Sequence, residues 1–104
     1  MSGGDEIKKP SDNQLCKYAI LVIVHEQPEI DFDTLHQHTG FESKRLVRML
    51  GKLIQWHEIK KKTEKNKHTT YIITKTGKRK LEYFKEKGYG EYWVPVWEEK
   101  RDNG

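Results

Sequence analysis

The sequence predicts a small α+β domain in which helices come first, a single β-hairpin follows, and a last helix closes the fold. Three observations predict it. Apolar residues recur at helical spacing behind capping residues in the first half of the chain. Two short β-branched and aromatic runs then flank a polar loop near residue 65. With 104 residues, 34% hydrophobic and 35% charged, the chain has room for one domain with a small core and wet outer faces.

Ser11 opens the first helix. Pro10 precedes it, Gln14 follows three residues later as in a capping box, and Leu15, Ala19 and Val22 share a face. The β-branched run ILVIV suits a strand when read alone, but its continuity with the capped NQLCKYA favours helix, and Pro28 stops it. Ile30 is expected in a short strand. Asp31 caps a helix from Phe32 to Thr39 that turns Phe32 and Leu35 inward, and Gly40 permits the turn that follows.

The next helix runs from Glu42 or Ser43 to Trp56. At about 100° per residue, Leu46, Val47, Met49, Leu50, Leu53 and Ile54 fall within an arc of roughly 160°, while Lys44, Arg45, Arg48, Lys52 and Gln55 fall opposite. One face is expected to be core and the other a basic ridge. Gly51, in the helix interior, costs about 1 kcal/mol relative to Ala; either another backbone approaches it closely or the glycine is merely tolerated. Ile59 to Thr63 and Thr69 to Ile73 read as two strands joined by Glu64, Lys65, Asn66 and Lys67. Thr74 or Thr76 caps the last helix, Leu81 and Phe84 face inward from it, and Gly88 ends it. Residues 1–10 are expected to be a flexible N-terminus, 11–97 the folded domain with an aromatic tail, and 98–104 a disordered C-terminus.

Charge is distributed unevenly along this order. Residues 43–80 carry thirteen Lys/Arg against two acids, Glu58 and Glu64, a net +11 within a chain whose total is only +4. Such a density repels itself and suits an anionic partner, nucleic acid first and an acidic protein or membrane surface second. The longest apolar run, Tyr18 to Val24, is far shorter than the roughly 20 residues a membrane span needs. MSGGDEIKKP lacks the apolar core of a secretion signal, so a cytoplasmic protein with no membrane partner is expected. A lone Cys16 fits a reducing compartment. It lies in an apolar helix with no identifiable base, and there is no phosphate-binding glycine loop, so no enzyme is expected. His36 and His38, two apart on a helix, point to different faces, and no cysteine cluster joins them or His25, His57 and His68. No metal and no cofactor is expected.

The segment TGFESKRLVRMLGKLIQWHEIKK resembles the helix-turn-recognition-helix of bacterial and archaeal regulators of the MarR, PadR and ArsR type. Gly40, Phe41, Leu46, Leu50, Leu53 and Ile59 occupy the apolar and glycine places of that pattern without a gap. YIITKTGKRKLEYF is similar to the strand and helix after the wing in the same regulators. The resemblance implies a winged helix-turn-helix: a three-helix core, a β-hairpin wing and a C-terminal helix. It also implies a transcriptional regulator that binds double-stranded DNA as a homodimer. Helix 43–56 would enter the major groove, presenting Ser43, Lys44, Arg45 and Arg48 to bases and Lys52 and Gln55 to the backbone. Wing 59–73 would lie on the backbone or minor groove through Lys60, Lys62, Lys65, Asn66, Lys67 and His68. The chain departs from the family at His57, where glycine is common and positive φ frequent, and at Val47, commonly small and polar. Val47 either packs inward or touches a thymine methyl.

Two other functions fit the same residues: a winged helix serving as a protein-interaction module, and a sequence-independent architectural DNA binder. The aromatic residues Tyr83, Phe84, Tyr89, Tyr92, Trp93, Val94, Val96 and Trp97 either form a dimer interface or fold back on their own domain. No small-molecule pocket is legible.

Overall fold

The computed structural model describes residues 10–63 and 68–95. Expectations for residues 1–9, for Lys65, Asn66 and Lys67, and for Val96, Trp97 and the residues after them lie outside the described residues. The architecture is α+β, with four helices and a small antiparallel sheet. Helix α1 spans Asp12–Glu26, β1 Ile30–Asp31, α2 Phe32–Thr39, α3 Ser43–Gln55, β2 Ile59–Lys62, β3 Thr70–Ile73 and α4 Lys75–Glu86.

Helix α1 forms the centre of the core. The Ser11 hydroxyl accepts from the Gln14 amide at 3.2 Å and starts the helix. Every residue from Tyr18 to Val24 is buried, because α2, α3, α4 and β3 all pack around it. That enclosure explains how a β-branched run stays helical: a helix surrounded on all sides needs apolar residues on all sides. Leu35 of α2, Leu46, Met49, Leu50 and Leu53 of α3, Leu81 and Phe84 of α4, and Ile30 and Ile59 of the sheet complete the core.

The sheet order is β1-β3-β2, with Ile30 opposite Tyr71 and Ile59 opposite Ile73. Asp31 caps α2 by accepting from the Thr34 amide at 2.9 Å, and Gly40 ends that helix at φ 76°. Thr63 and Thr69 fall just outside the strands, where their hydroxyls meet at 3.1 Å.

Two expectations about α3 need correction. Val47 does not join the inward arc; it is 60% exposed, because α3 turns its buried stripe toward α1 and that stripe is narrower than the wheel suggests. Of the two readings of Gly51, close approach of a backbone fails: among the described residues nothing lies within 4 Å of the place a Cβ would occupy. Close approach belongs instead to Gly77 in the first turn of α4, where a Cβ would run into the Glu58 carbonyl.

The C-terminal aromatics divide. Gly88, at φ 85°, turns the chain after α4 into a single 3-10 turn, Tyr89–Glu91. Tyr89 and Trp93 then fold back onto Tyr18, whose ring meets theirs edge-on at 5.8 Å and 5.9 Å. The Trp93 indole N–H donates to the Thr39 carbonyl at 3.1 Å, tying the tail to the end of α2. Tyr83 and Tyr92 remain on the surface.

Candidate functional site

The outer face of α3 is where charge and exposure coincide. The helix follows the N-cap residue Glu42, whose side chain makes no capping hydrogen bond, and has no acid in its first turn, so its free amides and Lys44 and Arg45 gather positive potential at one end. Ser43, Lys44, Arg48, Lys52 and Gln55 are all exposed on that face. Among the described residues, no ion pair or side-chain hydrogen bond engages Lys44, Arg48 or Lys52. Arg45 differs from them. It is half-buried, donates to the Asn13 side-chain oxygen at 3.2 Å and lies 3.8 Å from the Asp12 carboxylate. Its guanidinium therefore ties α3 to the first turn of α1 and is less available to a ligand than its neighbours on the ridge.

The hairpin adds a second basic element. Lys60, Lys61 and Lys62 are exposed along β2, opposite Ile72, Tyr71 and Thr70. Alternation sends Lys60 and Lys62 to one side and Lys61 to the other. Lys62 lies 3.7 Å from the Glu29 carboxylate, and Glu29 sits at φ 63° just before β1. His68 is exposed at the start of the return strand and lines a shallow notch of about 220 Å³ with Asp31, Phe32, Asp33, Thr69 and Tyr71. The structure thus sets His68 beside the acids Asp31 and Asp33.

The turn from α3 into β2 is held firmly. His57 adopts φ 62°, a left-handed conformation open to histidine at a modest cost. The Thr74 hydroxyl donates to the His57 carbonyl at 2.6 Å and accepts from the Gly77 amide at 3.0 Å, while the Thr74 amide donates to the Glu58 carbonyl at 3.1 Å. One threonine therefore caps α4 and locks it to the end of α3. This junction sets the angle at which the α3 face and the hairpin are presented together.

Tertiary packing brings in two further cations, Lys17 and Lys80, of which the sequence announces only the second. Lys17 of α1 places its ammonium 4.5 Å from the centroid of the Trp56 ring. Burial lowers its pKa, and the positive charges of Lys52 and Lys80 push the same way against the opposing pull of Glu58. The basic face thus continues from α3 onto α1 and α4. Within this cluster Glu58 is 6% exposed, and its Oε1 has no hydrogen-bond partner among the described residues. Burial raises its pKa, opposed by Lys80 and Lys17. Lys80 belongs to the basic block 43–80 and is legible there; Lys17, a single lysine in an apolar helix, carries no such signal.

Cys16 is fully buried, and burial pushes its thiol up to about 12, so it is inert packing. Among the described residues no group of three His, Cys, Asp or Glu side chains is placed to hold a metal ion, and no helix is long and apolar enough to cross a membrane. Comparison of the chain with protein-family models, with curated proteins and with solved structures gives no match.

Proposed function

We propose that the protein is a winged helix-turn-helix regulator of transcription that binds double-stranded DNA as a homodimer. The observation that carries this reading is the α3 face, where Lys44, Arg48 and Lys52 stand exposed and without acidic partners beside a helix N-terminus and a lysine-bearing strand. A solvated helix ordinarily mixes acids with its bases; this one does not. A helix of this width fits the major groove. In the proposed complex Ser43, Lys44 and Arg48 meet base edges, and Lys52, Gln55 and Lys60 meet phosphates. Arg45 acts mainly by holding α3 against α1. Two copies related by two-fold symmetry would set two such helices about one helical turn apart on a duplex.

The test is binding to a random 25-base-pair duplex over a salt series, followed by selection from a random library. The wild-type chain is expected to bind with affinity falling steeply with salt. A variant with Lys44, Arg48 and Lys52 changed to Ala should bind more weakly and lose at least about 0.9 units of that slope, the share of the Lys52 phosphate contact. Absence of binding would transfer the basic face to an acidic protein partner. Binding with no enriched motif would make the protein an architectural binder, and a monomer in light scattering on the bound species would remove the dimer.

A further inference from the structure

Where the end of α3 meets α1 and α4, exposed aromatic rings and lysines are interleaved. Trp56, the C-cap residue of α3, is 43% exposed, and Tyr83 on α4 is 49% exposed. Burial in the core does not account for either ring. Each is accompanied by cations instead: the Lys17 ammonium lies 4.5 Å from the Trp56 centroid, and those of Lys80 and Lys87 lie 5.6 Å and 5.4 Å from the Tyr83 centroid, within cation–π range. The two groups adjoin, because Lys17 feels the charges of both Lys52 and Lys80. Positive charge is therefore continuous from α3 through α1 to α4. On α4, Lys80, Tyr83 and Lys87 share one edge, being three and four residues apart. At about 100° per residue, Glu82 and Glu86 fall roughly a quarter turn or more from that edge. Glu58, the acid that acts on Lys17 and Lys80, is buried. Exposed ammonium groups this close repel one another, and an anionic ligand relieves that repulsion.

The rings decide which anion. A duplex keeps the flat faces of its bases inside the stack and offers exposed aromatic side chains nothing to stack on. An unpaired strand offers base faces and phosphates in alternation, and proteins bind such strands by pairing aromatic platforms with a positive track. We infer that the Trp56 and Tyr83 face is a site for single-stranded nucleic acid, with bases stacked on the two rings and phosphates held by Lys17, Lys80 and Lys87. It is a second site, distinct from the duplex-binding face of α3 and not dependent on it; Lys52 lies where the two meet. Stacking on a π-face tolerates any base, so this site binds with little regard to sequence.

The probes are fluorescein-labelled 12-nucleotide oligothymidylate and oligouridylate, measured by anisotropy over a salt series beside the 25-base-pair duplex. Trp56→Ala and Tyr83→Ala are each expected to weaken binding of the single strand about fivefold, with the salt slope and duplex binding unchanged, whereas Trp56→Phe and Tyr83→Phe retain it. Lys80→Gln together with Lys87→Gln is expected to remove about 1.4 units of the single-strand slope, about 0.7 per phosphate contact. A further readout uses the unsubstituted chain: photocrosslinking to an oligothymidylate carrying 5-iododeoxyuridine, mapped by mass spectrometry, is expected to mark Trp56 or Tyr83. Binding of one or both oligonucleotides with crosslinks at these rings sustains the site, and the preference between them identifies DNA or RNA. Failure of the wild-type chain to bind either oligonucleotide, crosslinks confined to other residues, or an equal loss of duplex binding in the two Ala variants overturns it. The duplex reading fails separately: it falls only if the wild-type chain does not bind duplex, an outcome that leaves the single-strand measurements intact.

Discussion

Helices α1 and α3 are of similar length, fifteen and thirteen residues, and pack against each other, yet they are built to opposite rules. Helix α1 buries nine residues, including seven in a row, and leaves little but its ends to solvent. Helix α3 buries four, Leu46, Met49, Leu50 and Leu53, half-buries Arg45 and Ile54, and presents the rest outward. The difference separates two uses of a helix in one small domain. In α1 each side chain is constrained by neighbours on every side, so its chemistry is uniform and apolar. In α3 only the inner stripe is constrained, and the outer face carries cations, an exposed valine and an open glycine that intramolecular packing does not require.

If that division is right, substitutions in the two helices should separate stability from binding. The largest stability effect is expected for Ile20→Ala, at a fully buried position: about 2–5 kcal/mol of unfolding free energy, a large share of a small domain's total, read by urea denaturation. The Lys44, Arg48 and Lys52 substitutions should each change stability by no more than about 0.5 kcal/mol. A large loss of stability from them would mean that the outer face of α3 serves the fold after all.

A smaller effect tests whether α1 owes its enclosure partly to the C-terminal tail. Trp93→Ala removes a half-buried ring from Tyr18 and the hydrogen bond to the Thr39 carbonyl, with an expected cost of about 2 kcal/mol by thermal or urea unfolding. An unchanged stability would release the tail from the core and return it to the role of a dimer surface.

The smallest effect lies where the two helices and α4 meet. Burial raises the Glu58 carboxyl above its ordinary 4.5, so between that value and the raised one the folded chain holds a proton that the unfolded chain has released. The stability tied to this group is fully present below 4.5 and is lost as pH rises through the raised value. Glu58→Gln removes the titration. Its melting temperature should match that of wild type near pH 4 and exceed it near pH 7, by a margin that reflects the cost of burying the ionised carboxylate. A lower melting temperature at pH 7 would mean that attraction to Lys17 and Lys80 outweighs the cost of burial.

Much of this domain was legible in its residues. Ser11, Asp31 and Thr74 mark three helix starts by local chemistry, each side chain accepting from an amide three residues on. Gly40 and Gly88 mark two ends by their freedom to take positive φ. The charge count located the basic face, because local sequence and local surface coincide on a single amphipathic helix. What failed were inferences about distant neighbours. The helical wheel gave Val47 an inner place because it counts angles and knows nothing of how wide a partner is. The interior glycine with a packing role proved to be Gly77, whose constraint comes from Glu58 in another element.

From its order of residues alone, then, the chain determined its element boundaries, the apolar character of α1 and the position of its positive charge, since capping, periodicity and net charge act over a few residues. Tertiary structure decided which cations are free. Arg45 is tethered to α1, Lys62 is paired with Glu29, and Lys17 is drawn in beside Lys52 and Trp56. It also decided that Tyr89 and Trp93 close the core while Val47 and Gly51 face outward. These outcomes depend on contacts between residues far apart in sequence, which exist only once α1 has gathered the other elements around it.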